Sequence, residues 1–291
     1  MTDGFMNVLK PPGMTSHDVV SFVRRVLHTR KVGHAGTLDP GAAGVLPVAV
    51  GRATRLIEYL DSVDKAYRAE LKFGTATDSG DDLGTVVERR ENFVMPTIPV
   101  LQQAARQLTG PIMQVPPAYS AIKIHGEKAC DLARRHIAVE IPAREVMIYR
   151  LEILAQRTDT LLLDVECSKG TYIRTLCADF GRLVGIPATM SFLVRLRVGD
   201  FCLKDSCTLE ELNEKRTAAV LPPERFLSHL PRYDLAPHRM QAFLNGLPTH
   251  DTAYSGPSGR VCVYGPDGFL GVGCFQAGTA SVFPEKIYQL R

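Results

Sequence analysis

Between Ser16 and Arg30 the apolar residues Val19, Val20, Val23, Val26 and Leu27 recur at helical spacing, which predicts an amphipathic helix behind a Ser cap. The run Tyr67-Arg-Ala-Glu-Leu-Lys-Phe73 switches to a period of two and predicts a strand with one buried and one wet face. Helical spacing returns from Val100 to Leu108, which stops at Gly110 and Pro111. It returns again from Ile173 to Val184, where Ile173, Leu176, Cys177, Phe180 and Leu183 form a stripe ended by Gly185. A short helix is expected around Arg55 to Leu60, and strands across Glu145 to Ala155, Leu161 to Cys167 and Thr189 to Val198. In the last of these, alternation puts Met190, Phe192, Val194 and Leu196 on one face and Leu193, Arg195 and Arg197 on the other. Adjacent strands interleaved with helices predict an α+β fold rather than a regular βαβ repeat.

The pattern changes near Leu221 to Pro231, where prolines punctuate the chain. Short strands follow at Arg260 to Tyr264, Phe269 to Phe275 and Ala280 to Phe283. We therefore expect a larger domain over residues 1–231 and a small β-rich one over 232–291. Proline also interrupts a loop insertion around residues 115–140. No solenoid-like repeat or low-complexity tract is present.

Composition narrows the classes. With 45% hydrophobic and 22% charged residues the chain is globular, and 34 Lys+Arg against 31 Asp+Glu leaves a formal charge of only +3. Any nucleic-acid partner must be met by clustered cations. The densest basic stretch is Arg24, Arg25, His28, Arg30 and Lys31, continuing to His34, on and after the first helix. The seven cysteines form no CxxC pair, so neither a disulfide framework nor a zinc site is indicated. The amino-terminal MTDGFMNVLKPPG reads as neither signal nor transit peptide, and no apolar run approaches the roughly 18 residues of a membrane span. A reduced, cytoplasmic setting is the expectation. Asp78, Asp81 and Asp82 lack the ligand order of a calcium loop and read as a solvated turn.

One carboxylate stands apart. The segment GHAGTLDPGAAGVLPVAVG, residues 33–51, reads as a shaped loop in which Pro40 keeps Asp39 out of helical geometry and the glycines allow close backbone approach. Four separated blocks, KPPGMTS, VGHAGTLDPGAAGVLPVAVG, KAYRAELKFG and CSKGTYIRTL, together with a fifth, VPPAYSAIKIHGEKACDLAR, resemble the motifs of the TruB family of pseudouridine synthases in order and spacing. They span most of residues 5–200.

The resemblance implies the pseudouridine synthase fold, with a mixed and mainly antiparallel sheet, followed by a PUA-like RNA-binding domain. It implies isomerisation of the T-loop uridine of transfer RNA (tRNA). It makes Asp39 the catalytic carboxylate, Tyr67 the aromatic that stacks the base and Arg174 the partner that orients Asp39. His34, Tyr172, Leu193 and Lys10 become substrate-binding or supporting residues, although Leu9 departs from the acidic or amide type usual before that lysine. No metal or organic cofactor is implied. The expected partner is the tRNA T-arm, met by a monomer with no membrane and no obligate protein partner. Phosphate contacts are expected from Arg24, Arg25, Arg30 and Lys31, or from Lys123, Lys128, Arg134 and Arg135 in the insertion.

The chemistry suits a single carboxylate, because turning an N-glycoside into a C-glycoside changes no redox state. A carboxylate beside C1′ can meet the positive character that develops there. Covalent bonding to the sugar, addition to the base and loss of the C2′ proton through a glycal are all compatible with it. Three rivals differ in class or setting. A non-catalytic RNA-binding or RNA-folding protein would not need Asp39, Tyr67 and Arg174 together. A guide-RNA-dependent relative would work inside a ribonucleoprotein, and a glycosidase would want two carboxylates.

Overall fold

The computed structural model describes residues 3–60, 62–120, 122–124, 126–135, 137 and 140–289. The chain opens with β1 (Gly4–Lys10), α1 (Ser16–Val26), β2 (Val32–His34) and β3 (Ala43–Val50), then a 3₁₀ helix over Gly51–Leu60 and β4 (Lys65–Phe73). A small hairpin of β5 (Thr75–Thr77) and β6 (Val86–Arg89) precedes α2 (Ile98–Gln107) and β7 (Gly110–Gln114). The insertion holds β8 (Lys123–Ile124), β9 (Glu127–Lys128) and α3 (Ala129–Arg134). Next come β10 (Arg144–Gln156), β11 (Thr160–Cys167), α4 (Ile173–Val184), β12 (Ala188–Val198), β13 (Phe201–Cys202) and α5 (Leu209–Lys215). The carboxyl-terminal part contains β14 (Arg232–Asp234), α6 (Met240–Leu244), β15 (Thr249–His250), β16 (Gly259–Gly265), β17 (Gly268–Gln276) and β18 (Ser281–Ile287).

The main sheet runs β1-β3-β12-β4-β11-β10-β7, with β2 beside β3 and β13 beside β12. Its one parallel contact joins β3 to β12, and the others are antiparallel, so the expected mixed, mainly antiparallel sheet is what forms. The sheet's buried faces are covered by helices. On one, Leu101, Ala104 and Ala105 of α2 and Leu176, Cys177 and Phe180 of α4 share a core with Tyr67, Ala69, Leu71 and Phe73 of β4. Elsewhere Val19, Val20 and Val23 of α1 join Met6, Val8, Leu46 and Val48.

Local details depart from the sequence expectation in four places. Helix α1 stops at Val26 and not Arg30. Its cap is Thr15, whose hydroxyl takes the Asp18 amide while Asp18 reaches back to the Thr15 amide. Ser16, expected as the cap, is instead a buried first-turn residue. Leu183, placed on the α4 stripe, is exposed, because the inward surface is complete with Ile173, Leu176, Cys177 and Phe180.

The fourth departure matters most. The pairing of β12 with β4 runs Met190 with Leu71, Phe192 with Glu70, Leu193 with Ala69 and Arg195 with Tyr67, so a bulge between Met190 and Phe192 inserts one residue. An extra residue reverses the facing of everything after it. Phe192 is 44% exposed, whereas Leu193 and Arg195 are buried on the apolar face of β4. Close approach across the neighbouring β3–β12 contact depends on Gly44. A Cβ at that residue would meet the Arg195 carbonyl at 2.3 Å, and its φ of +114° already excludes ordinary side chains.

A second sheet, β14-β16-β17-β18-β15, forms the small β-rich carboxyl-terminal domain. It is joined to the rest by a shared core in which Phe5, Tyr59, Phe201, Phe226 and Leu227 meet Cys262, Phe269 and Val272. Phe201 and Phe226 stack at 3.8 Å within it. Polar ties ring this core: Tyr59 donates to Glu285 at 3.2 Å, Lys286 pairs with Glu58 at 3.0 Å, and Tyr288 donates to the Asp3 carbonyl at 2.8 Å. No helix among the described residues is long and apolar enough to cross a membrane.

Candidate active site

Asp39 lies in the loop between β2 and β3, and that loop is held from three sides by side chains that satisfy its backbone. The Ser16 hydroxyl accepts from the Leu38 amide at 2.9 Å and donates to the Leu38 carbonyl at 3.2 Å. The fully buried Lys10 donates to the carbonyls of Pro11, Met14 and Pro40 at 2.8, 2.7 and 3.3 Å. Arg195 reaches across from β12 and donates to Gly36, Thr37 and Val45 carbonyls at 2.9, 3.3 and 2.8 Å. Two buried cations on backbone carbonyls therefore fix the approach to the carboxylate.

Arg174, in the first turn of α4, is buried and faces this loop. Its Nε lies 3.1 Å from Asp39 Oδ2 and its Nη2 3.4 Å from Oδ1, a side-on fork. The rest of the guanidinium is used up: Nη1 donates to the Ser79 carbonyl at 3.0 Å, Nη2 to the Tyr119 carbonyl at 2.9 Å, and Asp81 Oδ2 stands 3.7 Å from Nη1. Asp81 is thus largely buried against Arg174 and is not the solvated turn residue that the sequence suggested.

These contacts set the electrostatics. Burial raises the Asp39 carboxyl above the usual range, Arg174 beside it pulls the other way, and Asp81 adds to the rise. Burial lowers the Lys10 ammonium to about 8, with the Asp39 charge opposing the shift. His34 is also lowered, first by burial and then by the charge of Arg195.

The entry to α4 is clamped by Gln114 of β7. Its side-chain amide donates to the Tyr172 carbonyl at 3.0 Å and accepts from the Tyr172 amide at 2.7 Å. The Arg144 guanidinium lies 5.0 Å from the centre of the Tyr172 ring.

A cavity of about 280 Å³ opens between these elements, lined by Asp39, Tyr67, Tyr119, Tyr172, Arg174 and Leu193 together with backbone and smaller side chains around them. Five of the seven residues singled out from the sequence converge there. Lys10 and His34 do not line it: Lys10 acts behind the loop. His34 sits on β2 opposite Val48 with its Nδ1 buried and without a hydrogen-bond partner among the described residues. Four residues that the sequence reading passed over belong to the same assembly, namely Ser16, Asp81, Gln114 and Arg195. Ser16 lies in the first of the motif blocks and Gln114 borders the fifth, whereas Asp81 and Arg195 lie outside the blocks and carried no advance signal.

The arrangement can hold a flat ring on Tyr67 and Leu193 with a carboxylate at its edge. Of the candidate RNA-contacting cations, Arg134 pairs with Asp131 and Arg135 with Glu127. Arg25, Arg30 and Lys31 are exposed and make no ion pair among the described residues.

Comparisons with known proteins follow the same line. Residues 24–173 match the model for the TruB family pseudouridylate synthase (N terminal domain), and residues 174–228 that for the tRNA pseudouridylate synthase B C-terminal domain. The boundary between the two models falls at the start of α4, inside the main sheet's domain and not between the two sheets. A protein of Symbiobacterium thermophilum named tRNA pseudouridine synthase B is 49% identical over 248 residues, 84% of this chain and 82% of its own. One of the same name from Caldanaerobacter subterraneus subsp. tengcongensis is 46% identical over 288 residues, 98% of this chain and 99% of its own. Among solved structures, a chain of a Cbf5-Nop10-Gar1 complex superposes with a TM-score of 0.79 at 27% identity, covering 99% of this chain and 85% of that one. The model match and the identity over nearly the whole length establish that this chain belongs to the TruB family of pseudouridylate synthases.

Proposed function

We propose that this protein is a tRNA pseudouridine synthase that isomerises the T-loop uridine, position 55 of tRNA, to pseudouridine. The observation that carries the reading is the Asp39 carboxylate, forked by buried Arg174 at the edge of a cavity walled by Tyr67 and Leu193.

A T-loop uridine is stacked within folded RNA, so it must be extruded to enter such a cavity. Cleavage of the bond from C1′ to N1 leaves the electron pair on N1 and positive character on the sugar. The Asp39 carboxylate meets that charge. The detached uracil turns against the Tyr67 ring, C5 takes the place of N1 at C1′, and a proton moves from C5 to N1 to restore the aromatic ring. Atoms and electrons balance without a cofactor. Arg174 orients Asp39 throughout, Leu193 and Tyr172 bound the space in which the base turns, and Lys10 and Ser16 hold the loop. His34, beside this loop on β2, is assigned to the extruded nucleotide because it matches the family's loop histidine.

The cations Arg25, Arg30 and Lys31, exposed and without an ion pair among the described residues, suit phosphate contacts on the T-arm. The carboxyl-terminal β-rich part, about residues 232–291, suits docking of the rest of the tRNA as a PUA-like unit. The protein works as a cytoplasmic monomer without an obligate protein partner in this reading. Full-length relatives carrying the name tRNA pseudouridine synthase B support tRNA as the direct substrate over a guide-dependent role.

The test is incubation of the purified protein with unmodified tRNA, followed by mapping of the modified nucleotide. A single pseudouridine in the T-loop is expected. Tight tRNA binding with no conversion would replace the enzyme by an RNA-binding protein.

A further inference from the structure

Ser120 is 4% exposed, it lines the active-site cavity, and its hydroxyl has no hydrogen-bond partner among the described residues. Of the buried side-chain polar atoms left without a partner there, it alone belongs to a residue that lines the cavity. Its backbone is satisfied on both sides. The amide donates to the Ala118 carbonyl at 3.0 Å, and the carbonyl accepts from the Cys130 amide of α3 at 3.0 Å. Buried hydroxyls in folded proteins nearly always have a partner, because leaving one unpaired costs free energy. A group that arrives with the substrate removes that cost.

The neighbouring carbonyl fixes where that group must lie. Arg174 Nη2 donates to the Tyr119 carbonyl at 2.9 Å and lies 3.4 Å from Asp39 Oδ1, so one nitrogen ties the residue before Ser120 to the carboxylate. Ser120 therefore belongs to the end of the cavity where Asp39 meets C1′. We propose that Ser120 is a substrate-binding residue whose hydroxyl takes the ribose 2′-hydroxyl of the target nucleotide and holds the sugar while the base turns. The proposal rests on the pseudouridine synthase reading and adds a contact to it.

Beside C1′ the nucleotide offers three polar groups: the 2′-hydroxyl, the ring oxygen of the sugar and the O2 carbonyl of the base. The ring oxygen shares the positive character that develops on the sugar and becomes a poor acceptor. The O2 carbonyl leaves its place when the uracil turns, so a hydrogen bond to it must break before C5 can reach C1′. The 2′-hydroxyl keeps its position beside C1′ from start to finish, and a contact there anchors the sugar without opposing the turn. The chemistry is also matched, since each hydroxyl both donates and accepts and neither needs to ionise. Rotation about the Cα–Cβ bond of Ser120, between staggered settings, is enough to swing its Oγ from the wall into the cavity. Such a contact distinguishes ribose from deoxyribose.

The test uses T-arm hairpins that carry uridine or 2′-deoxyuridine at the target position. They are bound to the full-length protein as Asp39→Asn, so that affinity is read without turnover, and Ser120→Ala is added to complete a double-mutant cycle. With Ser120 in place, loss of the 2′-hydroxyl should weaken binding roughly 2- to 10-fold, the range of one neutral hydrogen bond. Ser120→Ala should weaken the uridine hairpin by a similar factor and leave the deoxyuridine hairpin unaffected. With Asp39 intact, Ser120→Ala should also slow single-turnover conversion of tRNA. Its melting temperature should not fall, because the hydroxyl gives up no partner among the described residues. Equal weakening of both hairpins by Ser120→Ala would take the contact away from the sugar and overturn the proposal. So would equal affinity for the two hairpins with Ser120 in place, a comparison that needs no change at that residue. A lower melting temperature with unchanged affinity would make the hydroxyl a structural group only. Failure of the unaltered protein to convert tRNA would instead overturn the functional reading itself.

Discussion

Asp39 sits among opposing influences: burial and Asp81 favour its neutral form, while Arg174 favours the charged one. Replacing it by asparagine keeps the shape and removes the charge that meets C1′. Asp39→Asn is therefore expected to lose all but a trace of turnover while tRNA affinity stays within a few-fold, as read by single-turnover assay and filter binding. The ionised carboxylate is the reactive form. Because its pKa is raised, the acid limb of kcat/KM should lie above the ordinary aspartate value of about 3.9. At the other end, Lys10 braces Pro40 as an ammonium whose pKa is lowered to about 8, so activity should fall as pH rises through that value. Arg stays protonated well beyond this range, so Lys10→Arg, if it retains the parent's activity at neutral pH, should lose that alkaline limb. An unchanged limb in such a variant would assign it to another group.

At the scale of elements, the site depends on how strands deliver residues that alternation alone misplaces. Gln114, the last residue of β7, satisfies both backbone groups of Tyr172 just before α4 begins. Gln114→Ala would leave the Tyr172 amide at that half-buried junction without its partner, the carbonyl keeping the Leu176 amide, at a cost of about 1 to 3 kcal/mol. We expect a lower melting temperature and a slower single-turnover rate, with tRNA affinity less affected, since Tyr172 and Arg174 both hang on that turn. A rate equal to the parent's would mean that α4 is positioned without the clamp.

How much of this was legible follows from the kind of signal each element carries. Helix α4 was readable to the residue, because a clean apolar stripe ends at Gly185, which adopts the left-handed cap. Asp39, Tyr67, Tyr172 and Arg174 were found through ordered blocks and Leu193 through its matching position on the strand from Thr189 to Val198, and the five share one cavity. The bulge in β12 was not readable, since a period of two has no mark for an inserted residue, and Phe192 looks as fit for the core as Leu193. Asp81 and Arg195 were passed over for a related reason. Charged residues in a turn or on a strand's polar face read as solvated until tertiary contacts with Arg174 and Tyr67 bury them. Thr15 and Ser16 are equally good caps by type, and only the capping box to Asp18 distinguishes them.

For the whole molecule, the separate sheet beyond Arg232 invites treatment as a detachable RNA-binding module, and the shared core argues against detaching it. Cutting the chain near Pro231 would remove Cys262, Phe269 and Val272 from contact with Phe5, Tyr59, Phe201, Phe226 and Leu227. It would also remove Glu285, Lys286 and Tyr288 from the 3₁₀ helix and amino terminus that they tie down. Full exposure of one large apolar side chain costs about 1.5 to 3 kcal/mol, and a domain's whole stability is about 5 to 15 kcal/mol. Uncovering even a part of several such residues consumes most of that margin. The fragment 1–231 is therefore expected to melt well below the full chain or to aggregate, so loss of activity on truncation would not by itself locate any RNA contact. The docking role is better tested in the intact protein, by comparing full tRNA with an isolated T-arm hairpin over a range of salt. If the second sheet meets phosphates beyond the T-arm, full tRNA should bind more tightly. Its log K should also fall more steeply with log salt, by roughly 0.7 to 0.9 for each added phosphate contact. Equal affinities and equal slopes for the two RNAs would confine recognition to the first domain, and would leave the second sheet with a purely structural task, closing the core around Phe201 and Phe226.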